Sequence, residues 1–196
     1  MKTLEVWFEL ASTYSYPAIA RVETVAKAAG VAVAWRPFLL GPIFRNQGWN
    51  DSPFNVYPVK GRYMWRDLER ICADLGLPLV RPSQFPRPSL SGARVACRFQ
   101  DEPWAGEFIR RVYRANFAED RDIGDATVIV SILESIGQST DRIDVAQSPE
   151  AKTKLREQSD AAIAHDIFGA PSFRVAGELF WGNDRLETAV AWAAAH

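Results

Sequence analysis

The residue types in this chain that are suited to chemistry gather at three places. The first is Ala11-Ser12-Thr13-Tyr14-Ser15-Tyr16-Pro17, a short polar and aromatic turn. Ser12 stands there just ahead of a predicted helix N-terminus, where backbone N–H groups and the helix dipole favour an anion. A serine hydroxyl at that point can donate a hydrogen bond to a thiolate and lower its pKa. Read alone, the turn favours a serine that merely caps the helix. The second place is Gly169-Ala170-Pro171. Only about 5–6% of X-Pro bonds in folded proteins are cis, so the local sequence favours trans. A cis bond would turn the Ala170 backbone outward to pair with an extended peptide. The third is Gly182-Asn183-Asp184-Arg185, at the start of the last predicted helix. Asn183 reads first as its cap. The same N-terminus could hold a ligand carboxylate, with Asp184 taking an ammonium group.

Composition narrows the chemistry further. The 196 residues include only two cysteines and two histidines, which excludes most zinc sites, any Cys-x-x-Cys redox motif and most histidine-based catalysis. No metal site is expected. Cys72 and Cys97 sit in helix-like apolar patterns and read as buried small hydrophobes. His165, at a predicted helix end, reads as a surface residue or a partner for the helix dipole. Lys+Arg is 23 against Asp+Glu 24, for a net charge of −1, so neither nucleic acid nor an anionic membrane is an expected partner. Hydrophobic residues make up 47%, enough for one real core. No signal peptide pattern or run of membrane-spanning length is seen, and the expected compartment is the cytoplasm.

The elements that must position these residues follow from periodicity. Residues 4–10 alternate, with Leu4, Val6, Phe8 and Leu10 on one side and Glu5, Trp7 and Glu9 on the other, as a strand does. A helix runs from Pro17 to Gly30, and residues 31–40 are β-rich. Residues 41–61, rich in Gly, Pro and Asn, read as one long loop. Helices follow over 62–75, 91–100 and 103–117, then from Asp125 to Gly137 and from Pro149 to His165. Residues 172–175 and 179–181 read as a hairpin, and Asn183-Asp184 starts a last helix. The helical middle cannot complete the two flanking sheet pieces, but they can complete each other. The expected fold is α/β: a thioredoxin-like fold with a helical domain inserted between its β-α-β and β-β-α halves. The expected thioredoxin-like part is 1–45 and 165–196; the insertion, with its long connecting loop, is 46–164.

Several segments resemble one family in order along almost the whole chain. Phe8-Glu9-Leu10-Ala11-Ser12-Thr13-Tyr14-Ser15-Tyr16 is similar to the Ser-Pro-Tyr-Ser-Tyr opening of the 2-hydroxychromene-2-carboxylate isomerases. These belong, with kappa-class glutathione transferases, to the DsbA-like branch of the thioredoxin superfamily. Arg36 to Phe44, Lys60 to Leu68, Phe168 to Phe173 and Gly177 to Leu186 are also similar.

The resemblance implies a glutathione-dependent cis-trans isomerase acting on an aromatic-degradation intermediate. Ser12 takes the place of the family's catalytic serine, beside the glutathione sulfur. Pro171 takes the place of the cis-proline, and Ala170 would pair its backbone with the cysteinyl unit. Asn183 and Asp184 fall where the γ-glutamyl end is held, and Lys60 where a lysine approaches the glycyl carboxylate or the substrate acid. Asn50 matches a loop asparagine, with Trp49 shifting the spacing. Thr13 departs from the family's usual proline, a change expected to loosen the turn. Tyr63, Trp65 and Phe44 are candidates to line an aromatic substrate pocket. The implied partners are glutathione and a small aromatic carboxylate, in a homodimer. Three rivals remain: a kappa-like glutathione transferase, a non-catalytic binding module, and a dithiol oxidoreductase. The last needs Cys-x-x-Cys where this chain has Ser12-Thr13-Tyr14-Ser15.

Overall fold

A computed structural model describes residues 2–196. The chain runs β1 (Thr3–Phe8), α1 (Ser15–Ala28), β2 (Ala32–Pro37), α2 (Leu40–Asn46), α3 (Pro53–Val56) and α4 (Pro58–Asp74). It continues with α5 (Leu90–Arg98), α6 (Ala105–Phe117), α7 (Ala126–Ser135), α8 (Arg142–Val145) and α9 (Pro149–Ala164). A hairpin of β3 (Ser172–Val175) and β4 (Glu178–Trp181), a 3-10 turn (Asn183–Arg185) and α10 (Leu186–Ala195) end it.

The strands form one sheet in the order β2-β1-β3-β4. β1 and β2 are parallel, whereas β3 is antiparallel to both β1 and β4. This is the thioredoxin-like α/β architecture that the element order predicts. The two-residue period of β1 sorts its side chains between two cores. Leu4, Val6 and Phe8 enter the larger core, shared with α1, α5, α6 and α10. Trp7 points the other way, into a smaller cluster with Phe38, Ile43, Ala162 and Ile167.

Local signals set the helix ends. Asp125 accepts from the Thr127 N–H at 2.8 Å and caps α7, which Gly137 follows at φ +71°. Ser148 caps α9 by accepting from the Ala151 N–H at 3.2 Å, with Pro149 in the first helical position.

The structure corrects the expected long loop over 41–61. That stretch holds α2, α3 and the first turn of α4. Its prolines are helix starters: Pro53 follows Ser52, whose hydroxyl accepts from the Phe54 N–H, and Pro58 opens α4. Helices of 7 and 4 residues span at most about two turns, too few for a repeating hydrophobic pattern to stand out. Gly61 lies inside α4 because a Cβ there would stand 2.1 Å from the Phe54 carbonyl oxygen. The first strand is also shorter than the alternation suggests. It leaves the sheet after Phe8, and Glu9 turns into the interior instead of facing solvent.

Candidate active site

The three chemistry-bearing segments meet at one edge of the sheet. Ser12 lies in the turn between β1 and α1, where its N–H donates to the Glu9 carbonyl at 2.9 Å. Its hydroxyl donates to the Ala170 carbonyl at 3.0 Å, across 158 positions of sequence. Neither Ser12 nor Ser15 caps α1: the cap position is Tyr14, without a side-chain hydrogen bond. The simple capping role is thereby corrected. Thr13 is buried, and its carbonyl accepts from the Tyr16 N–H at 3.1 Å, so this turn is closed without the family's proline.

The Ala170–Pro171 bond is cis, against the expectation from local sequence and in line with the resemblance. Pro171 is buried, and its carbonyl accepts from the Gly182 N–H at 2.9 Å, tying this loop to the start of the last helical segment. Asn183 does not cap that segment; its side-chain oxygen accepts from Arg21 at 3.0 Å. An amide held by its oxygen offers its NH2 to a ligand. Asp184 is exposed and pairs with Arg185 at 3.2 Å. Gly182, at φ +111°, is needed here, since a Cβ would meet the Asp184 carboxylate at 2.6 Å.

These groups border a cavity of about 760 Å³. Its lining includes Ser12, Lys60, Ala170, Asn183 and Asp184, so the structure brings five of the expected site residues together. Pro171 is not among the lining residues. Asn50 is exposed after α2 and is not among the lining residues; Gln47 and Trp49 line the wall there. The rest is strongly aromatic: Tyr14, Phe44, Trp49, Phe54, Tyr63, Phe85, Phe168 and Trp181. Phe44 and Tyr63 are thus wall residues as expected. Trp65 is not; it is buried against Phe85, with ring centroids 5.1 Å apart. Lys60 lies over the Phe54 ring at 5.8 Å and is the one cation among the described lining residues.

Sequence reasoning missed three polar members. Tyr14 donates to Asp67 at 2.9 Å, and burial with that carboxylate pushes its hydroxyl well above the usual tyrosine range. The third is Glu9, which is only 8% exposed. Its carboxylate accepts from the Ala11 N–H at 3.0 Å and from the Ser89 hydroxyl. Burial raises its pKa to about 7, against the pull of those two hydrogen bonds. An acid on the polar side of a strand pattern, three residues before Ser12, was the only sequence signal for it.

Burial pushes the thiols of Cys72 and Cys97 up to about 11, so both stay protonated near neutral pH. Among the described residues no group of three or more His, Cys, Asp and Glu could hold a metal ion. No described helix is long and apolar enough to cross a membrane.

A four-stranded thioredoxin-like sheet, an interrupting set of helices and a cis-proline facing the first-helix turn define a DsbA-type protein. The DsbA-like thioredoxin domain model matches residues 3–191, and the chain belongs to that family. Within it, the chain falls with the 2-hydroxychromene-2-carboxylate isomerases and their kappa-class relatives. It is 30% identical to the 2-hydroxychromene-2-carboxylate isomerase of Sphingobium xenophagum, over 95% of each chain. It is 24% identical to the human glutathione S-transferase kappa 1, over 95% of this chain and 88% of that one. A solved 2-hydroxychromene-2-carboxylate isomerase shares the fold with a TM-score of 0.88 at 24% identity, covering 98% of this chain and 95% of that one. These relatives are isomerases and glutathione transferases, which supports an enzyme.

Proposed function

We propose that this protein is a glutathione-dependent cis-trans isomerase, acting on an aromatic pyruvate-type acid of the 2-hydroxychromene-2-carboxylate kind. The observation that carries the reading is the Ser12 hydroxyl on the Ala170 carbonyl, both lining a large aromatic cavity. The residues present fit glutathione. The cavity lies within the roughly 300–1,000 Å³ of small-molecule sites. It is mostly apolar and has a hydroxyl donor, an amide, a lysine and an acid at separate points of its wall.

When bound, glutathione supplies a thiolate that adds reversibly to the conjugated double bond, letting it rotate, and is itself not consumed. Ser12 has one hydroxyl proton, which here is given to Ala170. Turning that proton toward a sulfur costs one hydrogen bond and gains a charge-assisted one, about twice as strong. The freed Ala170 edge then receives the peptide backbone. Asn183 and Asp184 hold the γ-glutamyl end, and Lys60 attracts a carboxylate at the opposite rim. The aromatic wall takes the flat ring of the second substrate.

The test follows the absorbance of 2-hydroxychromene-2-carboxylate with and without glutathione. A glutathione-dependent rate is expected, and its absence would remove the reading. The second reading, a kappa-class-like transferase, is favoured by the similarity to the human enzyme. It predicts that glutathione is used up as a conjugate, one per turnover, which mass spectrometry of the products distinguishes.

A further inference from the structure

We propose that Glu9 is the proton acceptor for the thiol at this site, storing as a carboxylic acid the proton that leaves the sulfur. The step rests on the glutathione reading above. It breaks the S–H bond and forms an O–H bond on the Glu9 carboxylate, directly or through one water. No electrons are gained or lost, and the proton returns when the sulfur leaves.

Position is the first argument. Glu9 and Ser12 close one tight turn through the 2.9 Å bond from the Ser12 N–H to the Glu9 carbonyl, and both line the cavity. The Glu9 side chain folds back beneath that turn to meet the Ala11 N–H. The Tyr113 hydroxyl, from α6, donates to the Glu9 carbonyl at 2.7 Å and fixes it from behind.

Charge is the second. A sulfur anion beside Ser12 and an ionised Glu9 would place two negative charges at the buried end of one cavity. The described charged residues lining it are Glu9, Asp67, Asp184 and Lys60, and only Lys60 is positive. Lys60 is exposed and lies over the Phe54 ring of α3. The groups that face the Glu9 carboxyl are neutral: the Ala11 N–H from the turn, the Ser89 hydroxyl at the start of α5 and, close by, the Tyr113 hydroxyl of α6. Moving the thiol proton onto Glu9 leaves one negative charge at that end instead of two. The raised pKa of Glu9, about 7, makes the same acid ready to accept and return a proton near neutrality.

The test reads protons, using the whole protein at pH 7.5. Glutathione is added, with S-methylglutathione as the thiol-free control. Thiolate formation is followed by ultraviolet absorbance. Proton release comes from binding heats in buffers of different ionisation enthalpy, and carboxyl protonation from infrared difference spectra. The wild type is expected to form thiolate, release well under half a proton and gain a protonated-carboxyl band. The control should give neither signal. Glu9→Gln keeps an acceptor for Ala11 and a partner for Ser89, and should lack the band. Its thiolate should form with release of about one proton, as linkage requires. Thiolate formation in the wild type with about one proton released and no carboxyl band would overturn the Glu9 step and leave the glutathione reading standing. Binding without thiolate would also overturn the step alone. No binding heat at all would overturn both.

Discussion

The two ends of the cavity are built by different means. The inner end is made by backbone and buried groups. The Ser12 turn, the cis-Pro171 loop and Asn183 hold one another through hydrogen bonds, with Tyr113 and Arg21 behind them. The outer end is made by side chains on α2, α3 and α4, of which Lys60 and Tyr63 are exposed, Tyr63 at 63%. Here the α3–α4 crossing depends on Gly61, and Lys60 reaches only over the Phe54 ring. The contrast assigns roles. In the proposed reaction the rigid end would set the geometry, because its groups cannot move without breaking long-range contacts. The exposed end would set which ligand is held and how tightly, because its groups can change without disturbing the core.

The largest effect expected from this contrast is one of stability against pH. Burial raises Glu9 from its ordinary 4.5 to about 7. Between those values the native state keeps a proton that the unfolded chain has released. The stability Glu9 confers is thus fully present below about 4.5 and is lost as pH rises through about 7, by on the order of 3 kcal/mol. Urea unfolding at pH 5 and pH 8 should show the wild type losing this increment relative to Glu9→Gln. Equal slopes would mean that the inner end is wetter than its burial implies.

Next in size is Ser12→Ala. Turnover should fall at least tenfold, about 1.4 kcal/mol or more, while glutathione still binds. Equal turnover would deny the inner end its reaction role.

At the outer end, Lys60→Met should raise KM up to roughly fivefold with little change in kcat, since exposed ion pairs are worth at most about 1 kcal/mol. A drop in kcat with unchanged KM would reverse the assignment of the two ends. Smallest is Tyr63→Ala. It should weaken binding of the aromatic acid by roughly two- to threefold, in keeping with one exposed aromatic contact, without altering the melting temperature. A loss of fold stability would show that the outer wall is part of the core after all.

Much of the inner end was legible in the sequence. The β-α-β and β-β-α patterns imply a sheet that brings Ser12, Ala170 and Asn183 together; at the outer end, Lys60 came from the family resemblance alone. The outer end was less legible. The prolines and Gly61 of residues 41–61 signal loop by composition, yet two of those prolines start helices and the glycine admits a backbone crossing. Of the aromatic wall, Phe44 and Tyr63 were anticipated, whereas Trp65 turned into the core and Phe85, Phe168 and Trp181 took the wall instead.

The sequence by itself determined the periods, the caps and the missing Cys-x-x-Cys, because these depend on residues near one another in the chain. Only the tertiary structure decided the partners. Ser12 finds Ala170 across 158 positions, and Glu9 finds Ser89 across 80. A strand pattern says which side of the sheet a carboxylate takes, and the alternation put Glu9 on the side of Glu5 and Trp7. Glu9 lies past the end of β1, where the chain turns it toward Ser89 at the start of α5 and Tyr113 of α6. That placement buries the acid, raises its pKa and sets it beneath the serine turn.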